Sequence, residues 1–234
     1  MAEFKAGVLD IIQRTYNVKS FRLSISEDVD FKPGQFLQAT IKVDQRQISH
    51  YLSISNSPTE KGYIEFTKKI TESEFSQALN KLKPTDSVNL KYPYGTFTFQ
   101  GEYKKIVFLS GGIGITPIRS ITKYVVDKKL DIDIVLIYGN RTIKDIAFQD
   151  DFDKMQKQYP GFKVVHVLSQ AEAGWPGRTG HINAGIIKEE IPDFAQRKFF
   201  ICGPPVMVEA MRRILLDELS LSEENIIIEN FSGY

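Results

Sequence analysis

The sequence predicts an antiparallel six-stranded β-barrel followed by an α/β unit, a five-stranded parallel sheet with helices on both faces. Three observations predict this fold class. The first hundred residues contain short segments rich in β-branched and aromatic residues, which are typical of strands. After about residue 100, apolar runs alternate with helical patterns, which is typical of a parallel sheet. A glycine-rich turn, 111–114, separates the first of these runs from a helical pattern.

Turn signals such as Lys32-Pro33-Gly34 separate the strands of the first unit. Many short strands of this kind indicate an antiparallel barrel. Apolar residues recur at helical spacing after Ser73, so one helix is expected to interrupt the strands. The predicted strands are 6–15, 20–26, 36–43, 50–55, 62–70 and 87–92, and the predicted helix is 73–81.

The second unit shows the strand and helix alternation of βαβ units. After Gly95 the sequence changes from mainly strand-like segments to alternating strand and helix patterns. We place the domain boundary near 100–104, which gives domains 1–100 and 101–234. The predicted strands are 106–110, 132–138, 163–168, 198–201 and 225–229, and the predicted helices are 117–127, 148–158, 182–190 and 205–218.

Composition excludes several classes of function. The 234 residues carry a net charge of +1 with both signs interspersed, which does not favour nucleic acid or anionic membranes as partners. No apolar run approaches the roughly 18 residues of a membrane-spanning helix, and the first residues lack a signal-peptide pattern. A single cysteine, Cys202, and three scattered histidines argue against a disulfide, an iron–sulfur cluster or another metal site. We therefore expect a soluble cytoplasmic protein.

The turn in IVFLSGGIGITPIRS is the first candidate binding element. Glycines allow a ligand to approach the backbone, and the N–H groups of a following helix favour an anion such as pyrophosphate. Pro117 stands where the third glycine of the dinucleotide fingerprint would be. An ordinary glycine-rich βα turn therefore remains an alternative.

Five stretches, taken in order, resemble the motifs of one family. They are PGQF at 33–36, LSISNSP at 52–58, PYGTF at 93–97, GGIGITP at 111–117 and CGPPVM at 202–207. On these motifs the whole chain resembles the ferredoxin-NADP reductase-like superfamily of flavin-dependent NAD(P)H oxidoreductases. Its ending, 229–234, is similar to a bacterial branch that finishes in E-x-F-S-G-Y. The resemblance implies FAD and NADPH or NADH as cofactors, and a protein or small molecule as electron acceptor.

The family's R-x-Y-S motif falls on His50, Tyr51, Leu52 and Ser53. The resemblance implies that these positions bind the flavin phosphate, stack on the ring and place a hydroxyl at the flavin N5. His50 replaces the arginine, so weaker phosphate binding with a pH dependence near neutrality is expected. Leu52 can pack against the ring but cannot stack. The alternative is a plain alternating barrel strand.

A second flavin phosphate contact is implied by the family pattern K-x-x-x-G-x-x-S, which falls on Lys69, Ser73 and Ser76, with Ser73 replacing glycine. This contact would favour FAD over FMN. The flavin-binding set also includes Thr67 and Phe75. As an alternative, Ser73 is a plain helix N-cap without a ligand, since Glu72 and Glu74 would repel a phosphate.

Cofactor choice depends on the end of the second parallel strand. NAD-selective sheets usually carry an acid there, whereas this chain has Arg141, with Arg178 as a second candidate. We therefore expect that NADPH is accepted. Alternatively, Arg141 is a solvated loop charge or pairs with Asp145.

The resemblance implies four catalytic residues: Ser53 at the flavin, Thr116 and Cys202 beside the nicotinamide, and Glu229 as a proton carrier. Their alternative roles are structural, as an N-cap for Thr116, core packing for Cys202 and a solvated charge for Glu229. The remaining nucleotide-binding candidates are Gly111, Gly112, Gly114, Pro117, Gly203, Pro204 and Met207, and the aromatic residues Phe231 and Tyr234 are candidates to cover a flavin or adenine face.

The expected activity is hydride transfer from NAD(P)H to bound FAD, followed by electron transfer to an acceptor. The departures at His50 and Leu52 leave a reductase of free flavin open as an alternative. An electron-transfer subunit of a larger complex and a non-catalytic nucleotide-binding module are further alternatives. No sequence motif identifies the acceptor.

Overall fold

The computed structural model describes residues 2–25 and 30–229. Its first sheet contains six antiparallel strands within these residues, in the order β4-β3-β6-β1-β2-β5. A bridge between Ile54 and Phe66 joins the two ends of this order, so the sheet closes as the predicted barrel. The strands are β1 Ala2–Thr15, β2 Val18–Ser24, β3 Phe36–Val43, β4 Arg46–Ser53, β5 Tyr63–Lys69 and β6 Ser87–Tyr94.

Alternating apolar side chains fill the barrel. The rings of Phe21 and Phe66 stack with centroids 5.2 Å apart, and both side chains are fully buried. Helix α1, Glu74–Asn80, buries Phe75 and Leu79 against this core. The helix starts one residue later than predicted because Ser73 is its N-cap.

The second sheet is parallel, as predicted, but the described residues contribute six strands to it rather than five. The extra strand has two residues and pairs with Val167 and Leu168. The order is β10-β9-β8-β7-β11-β12. The strands are β7 Lys105–Gly111, β8 Asp133–Asn140, β9 Phe162–Leu168, β10 Arg178–Thr179, β11 Lys198–Cys202 and β12 Ile226–Glu229.

Helices cover both faces of this sheet, which confirms the predicted layers. One apolar layer includes Ile118 and Phe152, and the other includes Ile187 and Met211. No helix in the described part of the chain combines the length and apolar character needed to cross a bilayer. The helices are α2 Ile115–Lys128, α3 Gln149–Gln158, α4 Ala184–Glu190 and α5 Pro205–Arg213.

The position of β7 determines where a ligand can bind. Its neighbours are β8 on one side and β11 on the other, so the chain leaves β7 toward one half of the sheet and returns to the other half. In parallel sheets, ligands bind at the carboxyl ends of the strands beside such a switch point. The predicted glycine turn follows β7 at this position.

Candidate functional site

A cavity of about 660 Å³ opens at the carboxyl edge of the second sheet, within the size range of small-molecule sites. The ends of β7 and β8 line it, and so does the start of α5. The barrel lines the same space with Tyr16, Asn17 and Val18, from the hairpin between β1 and β2, and with Lys69 at the end of β5. The cavity therefore lies where the two sheets face each other.

The three glycines of the turn have different structural roles. A Cβ on Gly111 would lie 2.3 Å from the Met207 Sδ, and one on Gly114 would lie 2.4 Å from the Cys202 carbonyl oxygen. Gly112 has a φ of +52°, and no other group comes within 4 Å of its ideal Cβ position. Two glycines thus allow close packing, whereas Gly112 leaves the backbone open toward the cavity.

Helix α2 begins directly after the turn, with Gly114 as its N-cap. Thr116 is therefore not the cap, and its hydroxyl donates to the Ile113 carbonyl at 3.1 Å. Thr116 and Pro117 are both buried in the first turn of the helix. Neither lines the cavity itself.

Three residues at and after the end of β8 make this part of the cavity polar. Both polar atoms of the Asn140 side chain are buried without a partner among the described residues, although Asn140 lines the cavity. Arg141 is exposed, and its Nε donates to the Gln170 Oε1 at 2.8 Å. The Asp145 carboxylate accepts from the Tyr16 hydroxyl at 2.9 Å. A buried amide without a partner indicates a place where a polar ligand fits.

Asp145 does not pair with Arg141 in the described structure. Burial opposes its ionisation, but hydrogen bonds from Thr142 and Tyr16 outweigh burial and hold the pKa of Asp145 below its ordinary value. A carboxylate therefore faces the same end of the cavity as the guanidinium of Arg141. The sequence suggests Asp145 only as a partner for Arg141, whereas in the structure Asp145 lines the cavity.

Arg178 lies elsewhere. Its Nη1 pairs with Glu189 at 2.6 Å and its Nε donates to Glu190 at 2.6 Å. Both carboxylates belong to the last turn of α4, and Arg178 does not line the cavity. The structure therefore does not bring the two predicted arginines together.

Strand β4 carries its aromatic side chain at Tyr51, whereas the family motif places an aromatic ring at the position of Leu52. Leu52 is buried in the barrel core, whereas Tyr51 is 55% exposed and packs edge-on against Phe36 and Tyr94. Ser53 is buried at the end of β4. Because side chains alternate along a strand, the Tyr51 ring faces solvent and the Leu52 side chain faces the barrel core.

Around α1, several residues that were predicted to contact the flavin have partners within the chain. The Ser73 hydroxyl accepts from the Ser76 N–H at 3.3 Å, as an N-cap does, and the ring of Phe75 packs 4.4 Å from that of His50. The Thr67 hydroxyl pairs with Ser20 at 2.7 Å within a buried polar network. Of this predicted set, Lys69 alone lines the cavity.

Cys202 and Glu229 are neighbours in register at the carboxyl ends of β11 and β12. Cys202 is fully buried, and burial raises the pKa of its thiol. Burial also raises the pKa of Glu229 to about 7. Glu229 thus titrates near neutrality, which an ordinary solvated glutamate does not.

The segment after Cys202 completes this side of the cavity. A Cβ on Gly203 would lie 2.9 Å from the Met207 Sδ, and Pro204 and Met207 line the cavity. Val206 lines it too and is 85% exposed. The candidates Phe231 and Tyr234 lie outside the described residues.

The contribution of the hairpin between β1 and β2 to the cavity is not apparent from the sequence. Tyr16 is 70% exposed at its tip, and neither Tyr16 nor Asn17 was a candidate. The one available signal was the turn pattern itself, which does not show that the hairpin faces the second sheet. Within the described residues, no cluster of side chains suited to a metal ion is present.

Comparisons with known families match both halves of the chain. Residues 6–99 match the model of an oxidoreductase FAD-binding domain, and residues 108–213 match that of an oxidoreductase NAD-binding domain. The chain therefore carries an FAD-binding and an NAD-binding domain, and the cavity described above lies against residues of both.

Individual relatives agree. The chain is 28% identical over 213 residues to the glycine betaine monooxygenase reductase subunit of Pseudomonas aeruginosa, covering 88% of this chain and 58% of that protein. It is 29% identical over 220 residues to NADH-cytochrome b5 reductase 1 of Mortierella alpina, covering 91% and 74%. The chain thus spans less than two thirds of the length of the first relative.

Among solved structures, the fold matches a ferredoxin NADP⁺ reductase from Neisseria gonorrhoeae with bound FAD and NADP. The TM-score is 0.82 at 22% identity, with 98% of this chain and 99% of that chain covered. At this level of identity the likeness shows a shared fold.

Proposed function

The chain belongs to the ferredoxin-NADP reductase-like oxidoreductases, and from this premise we propose that it passes a hydride from NAD(P)H to bound FAD and then electrons to a separate acceptor. The cavity supports this proposal most directly, because the open turn at Gly112 and the barrel residues Tyr16 and Lys69 line one space. Bound FAD would supply the redox chemistry. The chain's own residues would bind and orient the cofactors and would exclude water from the site.

The nucleotide is proposed to lie along the carboxyl edge of the second sheet. Gly112 would admit its phosphates to the N–H groups of the turn and of α2. The Asn140 amide would form hydrogen bonds with the sugar or base, since it has no other partner among the described residues. Lys69 adds a positive charge from the barrel side.

The flavin is proposed to lie against β4, with Ser53 at its reactive edge. His50 occupies the arginine position of the family motif, but burial and the nearby charge of Lys68 hold the pKa of His50 below its ordinary value. His50 would therefore be neutral at pH 7. Lys68, which is half-buried beside it, would supply the positive charge that a flavin phosphate needs.

Cys202 and Thr116 are proposed to shape the nicotinamide side. The raised pKa of Cys202 means that its thiol stays neutral, so it would act by packing and polarity rather than as a nucleophile. Glu229, in register beside Cys202, would hold a proton near the reacting groups.

We expect His50→Arg to tighten FAD binding about tenfold, because a guanidinium adds one charge-assisted hydrogen bond to phosphate worth roughly 1.5 kcal/mol. Isothermal titration with FAD and with riboflavin measures this effect. Riboflavin has no phosphate, so its affinity should not change. Ser49→Arg is the matched control, since it adds the same charge to an exposed neighbouring position. Equal gains in both variants would contradict a specific phosphate contact at His50.

We expect Arg141→Ala to raise the KM for NADPH several-fold and to leave the KM for NADH nearly unchanged. NADH has no 2′-phosphate for the guanidinium to pair with, and loss of a uniform binding interaction appears in KM rather than kcat. Steady-state kinetics with both cofactors measure the change. Equal effects on both cofactors would mean that Arg141 supports the loop, and a wild-type preference for NADH would overturn the NADPH assignment itself. Arg178→Ala shows whether the second arginine takes part.

We propose a protein acceptor rather than free flavin or a small molecule, because the relative from Pseudomonas aeruginosa is named as a reductase subunit. The family resemblance covers both cofactors but not the acceptor. An anaerobic absorption spectrum, recorded before and after addition of NADPH or NADH, tests whether FAD is resident and is reduced by the nucleotide. A yellow protein whose flavin band is bleached supports a resident FAD. A colourless protein that reduces added flavin would favour the free-flavin alternative, and the absence of both activities would leave a binding module.

A further inference from the structure

A buried charged cluster joins the nucleotide-binding helix to the barrel. Arg119 lies on α2, three residues after Thr116, and is 4% exposed. Its Nη1 donates to the Ser55 carbonyl at 3.1 Å and its Nη2 to the Glu60 Oε1 at 3.1 Å, both on the barrel side. Its Nε donates to the Asp151 Oδ2 at 3.0 Å on α3. One guanidinium thus holds three segments together.

The barrel side of this cluster is fixed by its own hydrogen bonds. Ser55 follows Ser53 by two residues, and its hydroxyl donates to the buried Glu65 carboxylate at 2.9 Å. Glu60 accepts from the Ser57 N–H at 2.7 Å. These contacts tie the acceptors of Arg119 to other residues of the barrel domain.

A second contact runs alongside the first. The Ser120 hydroxyl donates to the Asn56 carbonyl at 2.7 Å, and both residues are fully buried. Asn56 in turn holds β5, since its Oδ1 accepts from the Glu65 N–H at 2.8 Å. Two consecutive residues of α2 therefore donate hydrogen bonds to two consecutive residues of the segment that follows β4.

The charges of the cluster depend on one another. Burial opposes ionisation of Glu60, but Arg119 outweighs it and holds the pKa of Glu60 below its ordinary value. Removing one member of a buried ion pair leaves the other charge uncompensated. The segments are therefore expected to shift when either partner is changed.

We propose that Arg119 is a positioning residue, which fixes the turn 111–117 relative to Ser53 and so sets the distance over which hydride transfer occurs. This inference rests on the proposed function. Arg119 does not line the cavity, so it acts through the two segments it joins. Hydride transfer requires the reacting atoms within about 3.5 Å, and a displacement of about 1 Å can slow such a step roughly a hundredfold.

The experiment measures FAD reduction by NADH in an anaerobic stopped-flow instrument. We expect Arg119→Lys and Glu60→Gln each to lower the limiting rate at saturating NADH at least tenfold. The dissociation constants of FAD and NADH should change less than twofold. NADH carrying deuterium at the transferred position should retain a primary isotope effect in both variants, which identifies hydride transfer as the step that is slowed.

Two controls separate positioning from general stability. Val125→Ala removes buried side-chain volume from the same helix and should lower Tm without slowing hydride transfer. Asp127→Ala removes the acceptor of the Thr59 hydroxyl and the ion pair with Lys123, both at the periphery, and should leave the rate unchanged. The double variant Arg119→Lys/Glu60→Gln should be little slower than either single variant, because both act through one contact.

Different outcomes overturn different claims. If Arg119→Lys and Glu60→Gln lower Tm as Val125→Ala does and leave the limiting rate intact, Arg119 is structural and the positioning proposal is wrong. The same conclusion follows if the variants weaken NADH binding without slowing transfer. If the wild-type protein itself binds FAD and is not reduced by NADH or NADPH, the proposed function fails first.

Discussion

Replacing Gly112 with valine is expected to lower kcat/KM for NAD(P)H about a hundredfold while FAD content stays unchanged. The ideal Cβ at Gly112 has no other group within 4 Å, so the new side chain would enter the cavity rather than the protein core. It would keep the pyrophosphate from the N–H groups of the turn. Loss of two charge-assisted hydrogen bonds costs about 3 kcal/mol, which corresponds to roughly a hundredfold.

The matched control is Gly174→Val. Gly174 also has a positive φ, +86°, and open space around its ideal Cβ position, but it does not line the cavity. The control therefore carries the backbone cost of valine at positive φ without blocking the site. Normal turnover in Gly112→Val would remove the turn from the site, and joint loss of FAD and NAD(P)H binding would indicate misfolding.

Glu229→Gln is expected to slow turnover about a hundredfold, as the loss of a general acid does. Burial raises the pKa of Glu229 to about 7, so the carboxyl is protonated below this pH and can donate. The wild-type rate should therefore be highest below pH 7 and fall as the pH rises through 7. The variant should be slow at every pH and lack this step. Rates measured between pH 5.5 and 8.5 test both expectations.

The same shift predicts a difference in stability. The folded-state pKa of Glu229 lies above the unfolded value of about 4.5. Its contribution to the free energy of unfolding is therefore fully present below pH 4.5 and is lost as the pH rises through about 7. Relative to Glu229→Gln, the wild type should lose free energy of unfolding over this range. Glu224→Gln, at an exposed position, is the control. Parallel stability profiles for the wild type and Glu229→Gln would contradict the raised pKa.

Most of the fold could be predicted because its elements carry strong local patterns. The buried run before Gly111 and the helical spacing after Pro117 are long enough for periodicity to identify them. Strand β10 has two residues, Arg178 and Thr179, and no periodicity exists over two residues. Its pairing with β9 depends on tertiary contacts, so the parallel sheet was underestimated by one strand.

The candidate site was less accessible to sequence reasoning because its partners are distant in the chain. Tyr16 and Asp145 are 129 residues apart, yet a hydrogen bond joins them across the cavity. The guanidinium of Arg178 could bind a phosphate, but in the fold it forms ion pairs with two carboxylates of α4. Local motifs locate the glycine turn and strand β4, whereas the choice between ligand contact and ion pair depends on the assembled fold.

The long first strand has a consequence for the order of folding. Residues of β1 pair both with nearby β2 and with β6, where Ala2 lies opposite Tyr92. The hairpin of β1 and β2 can form early, but the barrel cannot close until a chain segment about ninety residues away has been synthesised. Pairings between distant residues slow folding because a long loop must be ordered first. On the ribosome, we therefore expect the barrel to stay open until β6 emerges, and the segment 2–7 to be its last uncovered edge.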